Sequence, residues 1–272
     1  QVQVILLDDH VSGPYDSIWD TVFSKHAPTR RLAQLQANAK EVRTTAFERA
    51  VFSPPGYSNY FLADLQVTVC EGRVEAVVAF AKFVLARYGI RHPTPTADSQ
   101  QFNFDVFNAI ARRPYTAQGV QHKFMGRQIS NEDELVRVLS SLPDTEVLTR
   151  RTTLQPYPRH PRIHASAHCI HASPPCIHPI DFARMTLVEQ MQAVADHDVL
   201  IGMHGAGLTH VLWMPDHGGV IELRPTTGMG WYCYQHMSHW RGLEFQLWEN
   251  TDTSKFRKDH DGDYTTIRFA SL

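Results

Sequence analysis

Apolar positions recur along this chain with two periods, and the changes between them outline its elements. Val2–Leu7 is a short continuous apolar run that reads as a buried strand and ends in Asp8, Asp9 and His10. Ser12, Gly13 and Pro14 break the chain before a helical stretch through "YDSIWDTVF". From Arg73 to Tyr88, Val74, Val77, Val78, Ala81, Val84, Leu85 and Tyr88 recur at helical spacing, with Gly89 placed as a C-terminal cap. A polar stretch with two prolines, "RHPTPTADSQQ" at 91–101, then reads as a linker, so a domain boundary is expected there.

Beyond the linker, strands alternate with helices. "FDVFNAIA" (104–111), "TEVLTR" (145–150), Val199–Met203, "GGVIEL" (218–223) and "LEFQLW" (243–248) read as strands. One intervening helix starts at Asn131 and Glu134, a candidate reciprocal cap, and buries Leu135, Val138, Leu139 and Leu142. Another starts at a Thr186/Glu189 capping box and buries Leu187, Met191 and Val194. Alternation of this kind predicts an α/β domain with a parallel sheet covered on both faces. Between these elements "IHASAHC" (163–169) is repeated as "IHASPPC" (170–176) and followed by "IHP", bringing His164, His168, His171 and His178 close to Cys169 and Cys176. Imidazole and thiolate are zinc ligands. The spacing matches no known zinc motif, however, and the stretch reads as a duplicated surface loop.

Composition narrows the function classes. With 272 residues and 43% hydrophobic content the chain has room for two domains. A net charge of -2 gives no electrostatic reason to bind nucleic acid or an anionic membrane. No apolar run reaches the roughly 18 residues of a membrane span. The chain begins at Gln1 rather than Met, so membrane attachment is expected only through an N-terminal segment absent from this sequence. Four cysteines are compatible with two disulfides or with free thiols.

Candidate chemistry falls at the carboxyl ends of the predicted strands, where open parallel sheets bind ligands. His204 ends one strand and is followed by Gly205, Ala206, Gly207, Leu208 and Thr209. Glycine permits positive φ and close backbone approach, and a helix starting near Leu208 would direct amides at an anion. Arg112 follows another strand and offers a forked donor suited to diphosphate. Glu222 stands in an apolar strand, where its carboxylate needs either ribose hydroxyls or an ion-pair partner such as Arg224. The chain has no G-x-S-x-G elbow, no G-x-G-x-x-G and no Walker A motif. Paired acidic metal ligands beside the glycine turn are also lacking, which points to a metal-independent phosphate site.

The stretch "DVLIGMHGAGLTHVLWMPDHGGVIEL" (198–223) resembles the signature of glycosyltransferase family 61, and within it the EGF-domain-specific O-GlcNAc transferases. "RGLEFQLWEN" (241–250), "ARR" (111–113) and "GRQISNEDEL" (126–135) extend the likeness, with weaker blocks at "DSIWDTVF" and "AVFSPPGY". The resemblance implies two Rossmann-like domains of the glycosyltransferase B type. The acceptor-side domain would lie at 1–95 and be incomplete, and the donor-binding domain would span 102–272. It also implies inversion without a metal or other cofactor, with UDP-GlcNAc as donor. The acceptor would be a Ser or Thr of an EGF-like domain, in the endoplasmic reticulum lumen or Golgi. By matching positions, Arg112, Arg127, His204, Gly205, Ala206, Gly207, Leu208, Thr209 and Glu222 would line or shape the nucleotide site. Asp9, at the end of the first strand, is the candidate base. A pentosyltransferase using UDP-xylose or UDP-arabinose, and a nucleotide-sugar-binding module without activity, are the alternatives.

Overall fold

The computed structural model describes residues 3–7, 13, 15–24, 27–37, 49–51, 72–92, 106–110, 115–117, 120–122, 125–140, 176–228 and 230–267. Side chains are not described at 106–110, 115–117, 120, 122, 125, 140 and 176–179. The expected strand at 145–150, most of the linker and the duplicated stretch up to residue 175 lie outside the described residues.

In the N-terminal part, β1 (Ile5–Leu6) and β2 (Arg30–Arg31) pair in parallel, and α1 (Leu32–Ala37) follows directly. A π-helical turn covers Trp19–Phe23. Helix α2 spans Glu75–Arg87, and Gly89 takes the left-handed conformation just beyond it, with φ 72°. Its apolar stripe is buried as the spacing predicted, through Val78, Ala81, Val84 and Leu85.

The main sheet contains β3 (Val106–Ile110), β7 (Cys176–Ile180), β8 (Val199–Met203), β9 (Gly219–Arg224) and β10 (Glu244–Glu249). Its order is β10-β9-β8-β3-β7, and every pairing is parallel. The short strands β4 (Tyr115–Ala117) and β5 (Val120–His122) form a hairpin. A three-stranded sheet joins β6 (Met125–Ile129) to the hairpin of β11 (Phe256–Asp259) and β12 (Gly262–Thr265).

Helices cover both faces of the main sheet. Along β8 the side chains alternate: Val199, Ile201 and Met203 pack with Leu135, Val136 and Leu139 of α3 (Glu132–Ser140). Leu200 joins the opposite core, with Met191 and Val194 of α4 (Leu187–Ala195), Val211 of the 3-10 helix Ala206–Trp213, and Trp240 of α5 (Cys233–Arg241). Burial on both faces explains why this strand reads as unbroken apolar sequence. Helix α4 carries the Thr186/Glu189 capping box in both directions.

Two features depart from the sequence expectations. The second copy of the repeat ends in a strand, β7, because its backbone pairs with β3 over five residues. Asn131 does not close a reciprocal cap: its side-chain amide bonds Glu134, while its Oδ1 accepts from the backbone N–H of Ile267 at 2.8 Å. Helix α2 shares a core with α5 and the 206–213 helix.

Candidate functional site

All five strands of the main sheet run the same way, so their carboxyl ends form one edge. The chain goes from β3 to β7 on one side and then returns through α4 to β8 on the other. Winding therefore reverses between β3 and β8, and that is where an open α/β sheet leaves a crevice for ligands. His204 stands at this point, immediately after Met203, the last residue of β8.

Strand parity sets which groups meet. Residues 200, 202 and 204 share one face, as do 220, 222 and 224. Gly202 pairs in register with Glu222, so no side chain from that neighbour fills the space beside the carboxylate. Glu222 is 0% exposed and accepts from two side chains. The His204 Nδ1 lies 2.5 Å from its Oε1, and the Arg224 Nε 3.0 Å from the same oxygen. Arg224 also donates through Nη2 to the Trp231 carbonyl at 2.6 Å and pairs with Glu249 at 3.5 Å. The His204 ring lies between Tyr234 and Trp231, with centroids 5.0 and 5.2 Å away. The guanidinium of Arg224 sits 5.4 Å from the ring centre of Tyr232.

Burial first, and then the negative charge of Glu222, push the thiol of Cys233 above its ordinary value. Acceptance by the carboxylate assigns the proton of His204 to Nδ1 and holds the ring plane.

The phosphate turn differs from its expected form. Gly205 is extended (φ 160°, ψ 170°), and left-handed glycines among the described residues are Gly72, Gly89, Gly228 and Gly242. Positive φ is therefore not what the glycines at 205 and 207 supply. The helix that follows is 3-10, and its first ladder bond runs from Leu208 N–H to the Gly205 carbonyl at 2.9 Å. The amides of Ala206 and Gly207 precede that bond and have no partner within the helix. Ala206 and Thr209 are exposed and Gly207 is half-buried.

Two of the expected lining residues turn inward. Leu208 is 0% exposed in the apolar core, because the helix must bury one face against α5 and α2. Glu222 reaches no surface, so its partners are His204 and Arg224 rather than ribose hydroxyls. Arg112 and Asp9 lie outside the described residues.

Arg127 occupies a β-bulge in β6. Met125 pairs with Gly262 and Gln128 with Tyr264, so Gly126 and Arg127 together oppose Asp263. Its φ of 60° is left-handed, a conformation that costs a non-glycine residue about 1–2 kcal/mol. Bulges re-aim side chains at that cost. Two residues further on, Ile129 packs against the cluster of α3 and β8 side chains, so β6 lies next to β8. Sequence reading named His204 and Glu222 but gave no role to Trp231 or Tyr234. Both stand in or after an aperiodic loop with no motif spacing to flag them.

Comparison with known proteins converges on the same stretch. Residues 164–221 match the family model described as Glycosyltransferase 61. EGF domain-specific O-linked N-acetylglucosamine transferases are similar over longer spans. The Xenopus laevis protein is 30% identical over 224 residues, covering 72% of this chain and 37% of the relative. The Mus musculus protein is 26% identical over 181 residues, covering 66% and 31%. The Drosophila melanogaster protein is 34% identical over 73 residues, covering 27% and 14%. This chain thus spans well under half the length of each of these relatives.

Proposed function

We propose that this chain, related to glycosyltransferase family 61 through its 164–221 segment, binds a UDP-sugar at the carboxyl edge of its parallel sheet. The observation that carries the proposal is the braced imidazole of His204 at the winding reversal, directly ahead of the Ala206 and Gly207 amides. A cationic or donor group and converging amides at the start of a helix suit a diphosphate. His204, Gly205, Ala206, Gly207 and Thr209 would contact it directly. Arg112 and Arg127 would supply guanidinium groups from the neighbouring elements. Glu222 acts one step back, fixing the ring of His204, and Leu208 anchors the helix from below.

The reaction class is inverting transfer of GlcNAc from UDP-GlcNAc to a Ser or Thr hydroxyl of an EGF-like domain, without a metal. The relatives, EGF domain-specific O-linked N-acetylglucosamine transferases, support this choice of sugar and acceptor domain. A hydroxyl oxygen bonds to the anomeric carbon as the carbon–phosphate-oxygen bond breaks, and the hydroxyl proton passes to a base, for which Asp9 is the candidate. UDP departs with the bonding pair, so donors already in place around the diphosphate lower the barrier. The endoplasmic reticulum lumen or Golgi is the setting that goes with this reading. No described helix is long and apolar enough to cross a membrane.

Calorimetric titration with UDP tests the site. Wild-type chain is expected to bind UDP, and His204→Ala or Arg112→Ala to lose at least tenfold in affinity, the scale of a charge-assisted hydrogen bond. Equal affinity in wild type and His204→Ala would overturn the assignment. Release of UDP from UDP-GlcNAc, but not from UDP-xylose or UDP-arabinose, with a folded EGF-like domain present tests donor and acceptor. Binding without release identifies a module without transferase activity.

A further inference from the structure

The loop after β9 starts at the carboxyl edge, and Trp231 in it is 48% exposed. That exposure is unusual for its setting, because the loop is anchored rather than loose. The buried guanidinium of Arg224 holds the Trp231 carbonyl at 2.6 Å and faces the ring of Tyr232. The indole rests at 32° to the imidazole of His204, while Tyr234 packs against that imidazole from the core.

We infer that Trp231 is the stacking wall for the transferred hexose: one part of its indole covers His204, and its exposed part receives the C–H face of the sugar. This rests on the proposed donor site. The hexose is joined directly to one of the two phosphates, whereas the base is separated from them by the ribose. A ring touching the imidazole at the phosphate turn is therefore nearer the hexose than the base. An indole offers a broad apolar face with few rotatable bonds, which fits a rigid ring at little entropic cost. Trp231 would then contribute to binding of the nucleotide sugar but not of the free nucleotide.

The test compares UDP-GlcNAc with UDP by calorimetry in the wild-type chain, Trp231→Ala and Trp231→Phe, with thermal melting as the folding control. The wild type is expected to bind both. Trp231→Ala should weaken UDP-GlcNAc by roughly five- to tenfold and leave UDP unchanged, the scale of one aromatic contact. Trp231→Phe should recover most of the loss. Equal weakening of both ligands would place the indole against the nucleotide and overturn the inference. No change in either would confine Trp231 to covering His204, and would overturn it as well. Both outcomes leave the donor site standing. A wild-type chain that binds neither ligand would remove the site and this inference together.

Discussion

Replacing Glu222 with alanine removes the carboxylate that joins His204 to Arg224. The guanidinium of Arg224 is 1% exposed and would keep the Trp231 carbonyl at 2.6 Å and the carboxylate of Glu249 at 3.5 Å. Deleting one partner of a buried ion pair costs about 3–5 kcal/mol, since the other charge stays out of water. Glu249 is 29% exposed and compensates in part, which favours the lower end, about 3 kcal/mol. In a chain of this size each kcal/mol moves the melting temperature by about 2–4 °C, so a fall of roughly 6–12 °C is expected. Circular dichroism melts measure it. The double variant Glu222→Leu/Arg224→Met removes both charges and should regain most of that loss. It should still bind UDP poorly, because the hydrogen bond to Glu222 that orients the ring of His204 is gone. A single variant melting within about 2 °C of wild type would refute the claim that this carboxylate holds the edge together. So would a double variant less stable than the single.

Two further outcomes follow from other contacts. Burial lowers the His210 pKa from 6.5 to about 4, with its ring stacked on Phe182. The unfolded chain takes up this proton near pH 6.5 and the folded one only near 4, so the stabilisation is complete above 6.5 and lost as pH falls between these values. The loss amounts to about 3 kcal/mol, and denaturant titrations from pH 7 to 4 should show a shallower acid limb in His210→Leu. Gly242 ends α5 at φ 73°, and a Cβ there would meet the Arg73 Cδ at 3.1 Å. Gly242→Ala should cost about 1–2 kcal/mol in a melt, mostly from the left-handed backbone. Gly89→Ala, with the same backbone and open space, is the comparison that isolates the contact.

Much of the scaffold was legible from local signals. Helix α2, the α4 capping box and strands β8 to β10 follow from side-chain periods and end-capping chemistry, both of which act over a few residues. Expectations failed where a partner lay far along the chain. Asn131 looked like a helix cap, but Ile267, 136 residues away, takes its carbonyl oxygen. The duplicated stretch ending at Cys176 looked like a loop, and pairing with β3 starts a strand at that residue. The left-handed backbone of Arg127 belongs to a bulge whose other half is the β12 strand.

The sequence by itself determined that a histidine and a glycine turn close an apolar strand of a parallel sheet. A strand followed by a breaker is written in consecutive residues. Only the tertiary structure decided what surrounds that histidine. Glu222 is 18 residues from it and Trp231 is 27, and both reach it through the register of β8 against β9. Register is a sum over two whole strands, so no short window contains it, and a shift of one residue would turn Glu222 to the opposite face.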